Sequence, residues 1–343
     1  MILYIGCSDK NDIIITDDSE TGEEQAMEDE NDDTADEESE GENEEESEEE
    51  SDDEESEEES EEESDDQNDN TGDEENEEES EEEEGENDND DESSECDSLI
   101  WSDEFEGNRL DDNKWRYQRG GWNGSNVQNC YVDENTSVSD GTLKITAKYE
   151  PGYNCYNETK DFTSGFVQTK DRVAWSYGYF EARVKVPASN STWPAFWLSP
   201  QEAVYGEWPR SGEIDVFEIK GHDMTKSYGN AHWGESGGNK RQEKGTFTFG
   251  DATQWHIYAV EWTEGELKFY IDGEYYHTIN DFKAPNATTH PGPFNIDFYI
   301  RLNMAVGGNY LSEPHNDAYN NIEQLPAVME VDYVRVYSKK PDC

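Results

Sequence analysis

Residues 211–220 read SGEIDVFEIK. Ile214, Val216 and Phe217 make the run apolar, yet Glu213, Asp215 and Glu218 place three carboxylates in six positions. As a β-strand, alternation sends Glu213 and Asp215 to one face and Glu218 to the other. One extra residue removes the conflict: a β-bulge sets two residues against one on the neighbouring strand and returns Glu218 to the face of the first two. The stretch predicts a bulged strand, with the bulge at Val216 or Phe217. A solvent-facing strand with incidental acids is the plain alternative, and it leaves the apolar residues between the acids unexplained.

Around this strand the chain alternates in the same way. GTLKITAKY (141–149), GYFEARVKV (178–186), WHIYAVEWT (255–263), FYIRLNMAV (298–306) and MEVDYVRVY (329–337) each read as a strand with one buried face. In LKFYIDGEYYHTI (267–279), Asp272-Gly273 between two such runs is a two-residue hairpin signal. No stretch keeps helical periodicity for three turns, and no repeat of about 20–50 residues marks a propeller. The predicted class is all-β, a two-sheet sandwich.

Charge divides the chain. Residues 1–97 hold 53 of the 88 Asp and Glu side chains and one lysine, Lys10, whereas residues 98–343 carry all ten tryptophans and 18 of the 19 tyrosines. The first part is low-complexity and self-repelling, so it is expected to be a disordered acidic segment or tether. Residues 98–343 are long enough for one large all-β domain. A net charge of -64 disfavours nucleic acid, an anionic membrane surface and a strongly sulfated polymer as partners, and favours a neutral one. No run is apolar and long enough for a spanning helix.

The start, MILYIGCSDKND, resembles the end of a bacterial lipoprotein signal, in which a small residue precedes a lipidated cysteine, here Cys7. A start without such meaning is the alternative. A lipid anchor at Cys7 would make the protein extracellular or cell-surface, attached to a bacterial outer membrane. Of the other cysteines, Cys130 and Cys155 flank one strand, and Cys96 and Cys343 stand at the ends of the folded part. Two bridges, Cys130–Cys155 and Cys96–Cys343, agree with an exported protein; unpaired buried thiols are the competing reading. A monomer is expected.

Three acids this close in an apolar strand oppose ionisation of all of them, by desolvation and by like charge. That is how one carboxyl is kept protonated beside an ionised one, as double-displacement hydrolysis of a glycosidic bond requires. Trp193, Trp197, Trp208 and Trp233 fall near these acids, and aromatic rings stack on the C–H faces of sugars. A core position remains the alternative for each of them.

GEIDVFE (212–218) resembles the E-x-D-x-x-E signature of glycoside hydrolase family 16, in the branch of laminarinases, agarases and carrageenases. LIWSDEFEGNRLDDNKW, SGFVQTK, YGYFEARVKVP, STWPAFWLSP, EWPRSGEIDVFE, NAHWG, YAVEWT, FYIDG, LNMAVGGNY and VDYVRVY follow in family order across residues 99–338. The resemblance implies a β-jelly roll with a concave substrate cleft. It implies Glu213 as nucleophile, Glu218 as general acid/base and Asp215 as the partner that tunes them. It also places His232 close to the acids, Trp193, Trp208 and Arg210 against the sugar, and Asn303 at the border of the cleft. The chemistry needs no cofactor, and a structural calcium would map onto Glu104, the backbone of Gly141, and Asp332, with ordinary surface acids as the alternative.

WPRSGEIDVFE with LNMAVGGNY looks most like laminarinases, which act on β-1,3-glucan. Residues 120–138, GGWNGSNVQNCYVDENTSV, depart from the usual laminarinase segment, and Tyr310 stands where a tryptophan is common. The expected function is an endo-β-1,3-glucanase. A galactan hydrolase of the same fold is the competing enzyme, its sulfated versions disfavoured because the cleft motifs show no basic cluster. A non-catalytic β-glucan-binding protein is the third reading, against which all three acids are present.

Overall fold

The computed structural model describes residues 98–122, 124–235, 240–283 and 291–341. The acidic segment 1–97 lies outside the described residues, so lipidation of Cys7 and a Cys96–Cys343 bridge do too.

Among the described residues, two sheets form the predicted β-jelly-roll sandwich. One runs, strand beside strand, Lys240–Thr248, Lys226–Gly234, Glu213–Glu218, Thr192–Pro200, Phe298–Val306, Phe166–Gln168, Arg116–Tyr117, with every neighbour antiparallel. The other packs behind it and includes Gly178–Lys185, His256–Thr263 and the terminal strand Ala327–Tyr337. The Asp272-Gly273 hairpin joins Glu266–Ile271 to Glu274–Ile279, both turn residues having positive φ as a primed turn requires. The described helical pieces are short 3-10 turns.

Between the sheets lies one buried cluster. Phe196, Leu198, Ile214, Phe217 and Ala231 belong to it from the first sheet, and Tyr258, Val260, Trp262 and Phe269 from the second. Phe217 and Tyr258 meet across the gap at 4.2 Å between ring centroids. Alternation explains much of this pattern, but the long strand Phe298–Val306 is buried at every position. Its inward residues enter the core, while Tyr299, Arg301, Asn303 and Ala305 face the other way and line a cavity. A strand flanked on both sides and covered on its outer face has no solvent side.

The bulge is where the acids require it. Against Lys226–Gly234 the register runs Asp215 to Asn230, then Glu218 to Tyr228, three steps against two. Against Thr192–Pro200, Phe217 pairs with Phe196 and Asp215 with Trp197, leaving Val216 as the extra residue. Val216 and Phe217 both enter the core, and Glu218 returns to the outer face. At the start of the strand, Gly212 has φ +87, and a Cβ there would lie 2.7 Å from the Phe294 ring.

The Cys130–Cys155 bridge is formed, with Cα atoms 5.7 Å apart. It ties Asn129–Tyr131 to the end of the long strand Thr142–Cys155.

Candidate active site

The outer face of the seven-stranded sheet holds a cavity of about 790 Å3. Glu213, Asp215 and Glu218 line it, as do Trp193, Trp197, Trp208 and Asn303. Burial raises the pKa of all three acids, since a carboxylate removed from water lacks solvation, and the charge of Asp215 raises its two neighbours further. Glu213 is pushed up to about 7.

Hydrogen bonds distinguish the acids. Trp193 Nε1 donates to Glu218 Oε1 at 3.0 Å, and Asn230 Nδ2 donates to Glu218 Oε2 at 3.4 Å. The Asn230 amide also lies 2.9 Å from His232 Nε2. Burial holds the pKa of His232 down, so its neutral ring accepts there. His232 Nε2 stands 3.4 Å from Asp215 and 3.8 Å from Glu213, which places the ring between the two carboxyls at the start of the strand. Among the described residues, Glu213, Asp215 and His232 are the one set of His, Cys, Asp and Glu groups with ligand atoms close enough to share a metal, within 4.8 Å. An ion held there would engage the oxygens that a substrate must reach.

The aromatic positions divide. Trp193 stacks on Tyr310 at 4.5 Å while its N–H reaches Glu218. Trp197 Nε1 donates to Asn303 Oδ1 at 2.7 Å, and Asn303 Nδ2 donates to the Tyr131 hydroxyl at 3.3 Å. Trp208 is half-exposed, 6.0 Å from His232 and under Lys240 Nζ at 4.4 Å. Arg210 does not line the cavity; its guanidinium lies 3.9 Å from Glu235. Trp233 is a correction. One residue beyond His232, it points inward and packs in the core edge-on to Phe282 and Phe294, so it offers no face to a ligand.

The calcium expectation also meets a different structure. Glu104 is held in a two-point fork by Arg335, at 3.0 and 2.8 Å, and Asp332 accepts from Arg183 Nη1 at 2.7 Å. Beside the Gly141 turn, Lys144 Nζ bonds the carbonyl of Ser139 at 2.7 Å. Both carboxylates of the set already face an arginine. A calcium ion wants six to eight oxygen ligands, and this set does not fit it.

Sequence reasoning missed Arg301. It is 7 % exposed and lines the cleft, with its guanidinium 4.0 Å from the Trp197 ring and 5.0 Å from Trp122. Nη1 donates to Ser199 Oγ at 3.0 Å, whereas Nε is buried without a hydrogen-bond partner. Alternation in FYIRLNMAV could have found it, two residues before Asn303 on the same face. The same rule finds Asn230, two before His232.

A family model described as "Beta-porphyranase A-D, GH16 domain" matches residues 99–339. The chain belongs to glycoside hydrolase family 16. This family 16 domain is 34 % identical over 264 residues to the glucan endo-1,3-beta-glucosidase A1 of Niallia circulans, covering 71 % of this chain and 38 % of that one. The chain therefore spans about two fifths of that relative's length. It is also 34 % identical over 256 residues to the beta-glucanase of Rhodothermus marinus, covering 70 % and 84 %. Among solved structures, the laminarinase from Rhodothermus marinus superposes with a TM-score of 0.62 at 34 % identity, covering 71 % of this chain and 97 % of that one.

Proposed function

We propose that this family 16 hydrolase is a retaining endo-β-1,3-glucanase. The observation that carries the reading is the bulge, which puts Glu213, Asp215 and Glu218 on one face of a strand at the floor of an aromatic cleft. Glu213 attacks the anomeric carbon while Glu218 protonates the departing glycosidic oxygen, giving a covalent glycosyl-enzyme. Glu218, now ionised, takes a proton from water as that water attacks the same carbon, and Glu213 leaves. Asp215 lies between them in the strand, and its charge state sets how readily each neighbour holds a proton. The similarity to enzymes named as endo-1,3-β-glucosidase, β-glucanase and laminarinase supports glucan as substrate.

Arg301 favours a second reading, a galactan hydrolase acting on a sulfated polymer. A buried guanidinium lining the cleft is suited to an oxyanion, and the matching family model is named for β-porphyranases. Incubation with laminarin, mixed-linkage glucan, agarose and a sulfated galactan, followed by reducing-end assay and NMR of the first product anomer, separates the readings. Cleavage of laminarin with retention is expected. Inversion would overturn the double displacement, cleavage of galactans alone would overturn the glucan assignment, and no cleavage would overturn the hydrolase.

We take the protein to be exported and held at the cell surface by lipid on Cys7, with the acidic segment as spacer. Mass spectrometry of native protein showing an unmodified Cys7 would overturn the anchor.

A further inference from the structure

Segment 120–128 departs from the laminarinase-like pattern, and the reaction above gives it no task. In the fold, part of it forms one wall of a second groove of about 530 Å3. Trp122 stands between this groove and the catalytic cleft and lines both. On the cleft side its ring meets Trp197 edge-on at 6.3 Å and Phe166 at 6.1 Å. On the far side Asn126 and Gln128 continue the wall, facing Asp161 and Tyr319.

The groove is built rather than incidental. Tyr319 has 49 % of its surface exposed, yet its hydroxyl donates to Asp161, its backbone N–H donates to Asp317 Oδ1 at 3.1 Å, and its ring packs edge-on to Phe162 at 5.0 Å. Gln128 fastens the two walls together: Oε1 accepts from Ala318 N at 2.7 Å and Nε2 donates to Asp317 Oδ1 at 3.2 Å. Beneath, Asn129 pairs with Phe162, and the Cys130–Cys155 bridge joins Asn129–Tyr131 to the turn end of the strand Thr142–Cys155, where Cys155 pairs with Glu158. A fixed, half-open aromatic ring beside carboxamide and carboxylate groups suits a sugar: the ring takes the C–H face and the polar atoms take hydroxyls. Little ordering entropy remains to be lost on binding.

We propose that this groove is a distal glycan subsite, holding the stretch of polysaccharide that runs out of the cleft past Trp122. The proposal rests on the cleft being the site of glycan hydrolysis, and continuity through Trp122 identifies the occupant as the same chain. The groove then makes turnover depend on chain length.

The test uses the full-length protein and a ladder of β-1,3-gluco-oligosaccharides. In the wild type, kcat/KM should rise about 3- to 10-fold once the oligomer is long enough to span both grooves, the range a single aromatic contact supports. Tyr319→Ala should remove that rise and leave the short oligomers unchanged, while Tyr319→Phe should keep most of it. Thr159→Trp, which fills the groove from its other wall, gives the same result without touching Tyr319, should Tyr319→Ala fail to fold. Rates independent of length, or an equal loss on short and long oligomers, overturn the subsite. Absence of cleavage at every length overturns the hydrolase reading alone. Calorimetry with the same ladder then decides the groove: tighter binding of long oligomers, weakened by Thr159→Trp, supports it, and equal binding of long and short ones overturns it.

Discussion

In the proposed double displacement, Glu213 and Glu218 must hold opposite protonation states for the reaction to begin. Burial raises both, Glu213 to about 7, so near neutrality Glu213 can be ionised while Glu218 keeps its proton. The rate falls at low pH as Glu213 gains a proton and at high pH as Glu218 loses its own, so kcat/KM should be bell-shaped. Glu218→Gln should lose the alkaline limb and retain turnover only on substrates with an activated leaving group. Glu213→Ala should abolish turnover and keep oligosaccharide binding; near-wild-type rates would remove Glu213 from the nucleophile's role. The same shift has a cost in stability. Below the ordinary value of 4.5, folded and unfolded chains both hold the Glu213 proton; as pH rises towards 7 only the unfolded chain ionises freely, and stability is lost. Glu213→Gln should therefore melt with the wild type near pH 4 and be more stable at pH 8, by on the order of 3 kcal/mol.

At the scale of elements, the bulge carries the most weight. Deleting Val216 leaves Glu213, Ile214, Asp215, Phe217 and Glu218 in regular alternation, with all three acids still on the cleft face, so the variant should keep measurable turnover; loss to background that an activated leaving group does not rescue would show that the bulge sets the carboxyl spacing and not only the face. The Cys130–Cys155 bridge closes a loop with a sequence separation of 25, and a Cys130→Ser, Cys155→Ser double variant should be less stable by about 3 kcal/mol, read from denaturant midpoints. These two elements also mark what was legible. The bulge could be deduced because alternation has a period of two and the acids broke it. Trp233 obeys the same rule: next to His232 it must face inward, whatever its nearness in sequence to the acids. Arg301 is harder to read, because an arginine in an apolar strand looks like a solvent-facing residue until the outer face is known to be covered. The groove beyond Trp122 was not readable at all, since Gln128, Asp161 and Tyr319 are brought together by a parallel strand pair and a 3-10 turn from distant parts of the chain.

Across the whole molecule, charge decides between partners. Glu104 with Arg335 and Asp332 with Arg183 place arginines where a cation was expected. Chelation by EDTA should therefore leave the melting temperature unchanged, and a drop reversed by calcium would show that the ion binds. The net charge of -64 acts on the approach of substrate, over a Debye length of about 10 Å at 0.1 M salt. A neutral glucan feels no such field, so its kcat/KM should stay level from low to high salt. A sulfated galactan must approach against repulsion before its oxyanion can reach Arg301, and its kcat/KM should climb as salt screens the acidic chain. Once bound, the pairing inside the cleft is shielded from salt, so Arg301→Leu should cut the sulfated substrate's rate at every ionic strength without removing the slope. A level profile for both polymers would show that the acidic segment does not reach the cleft electrostatically; a steep one for the sulfated polymer alone would identify repulsion as a barrier to sulfated chains.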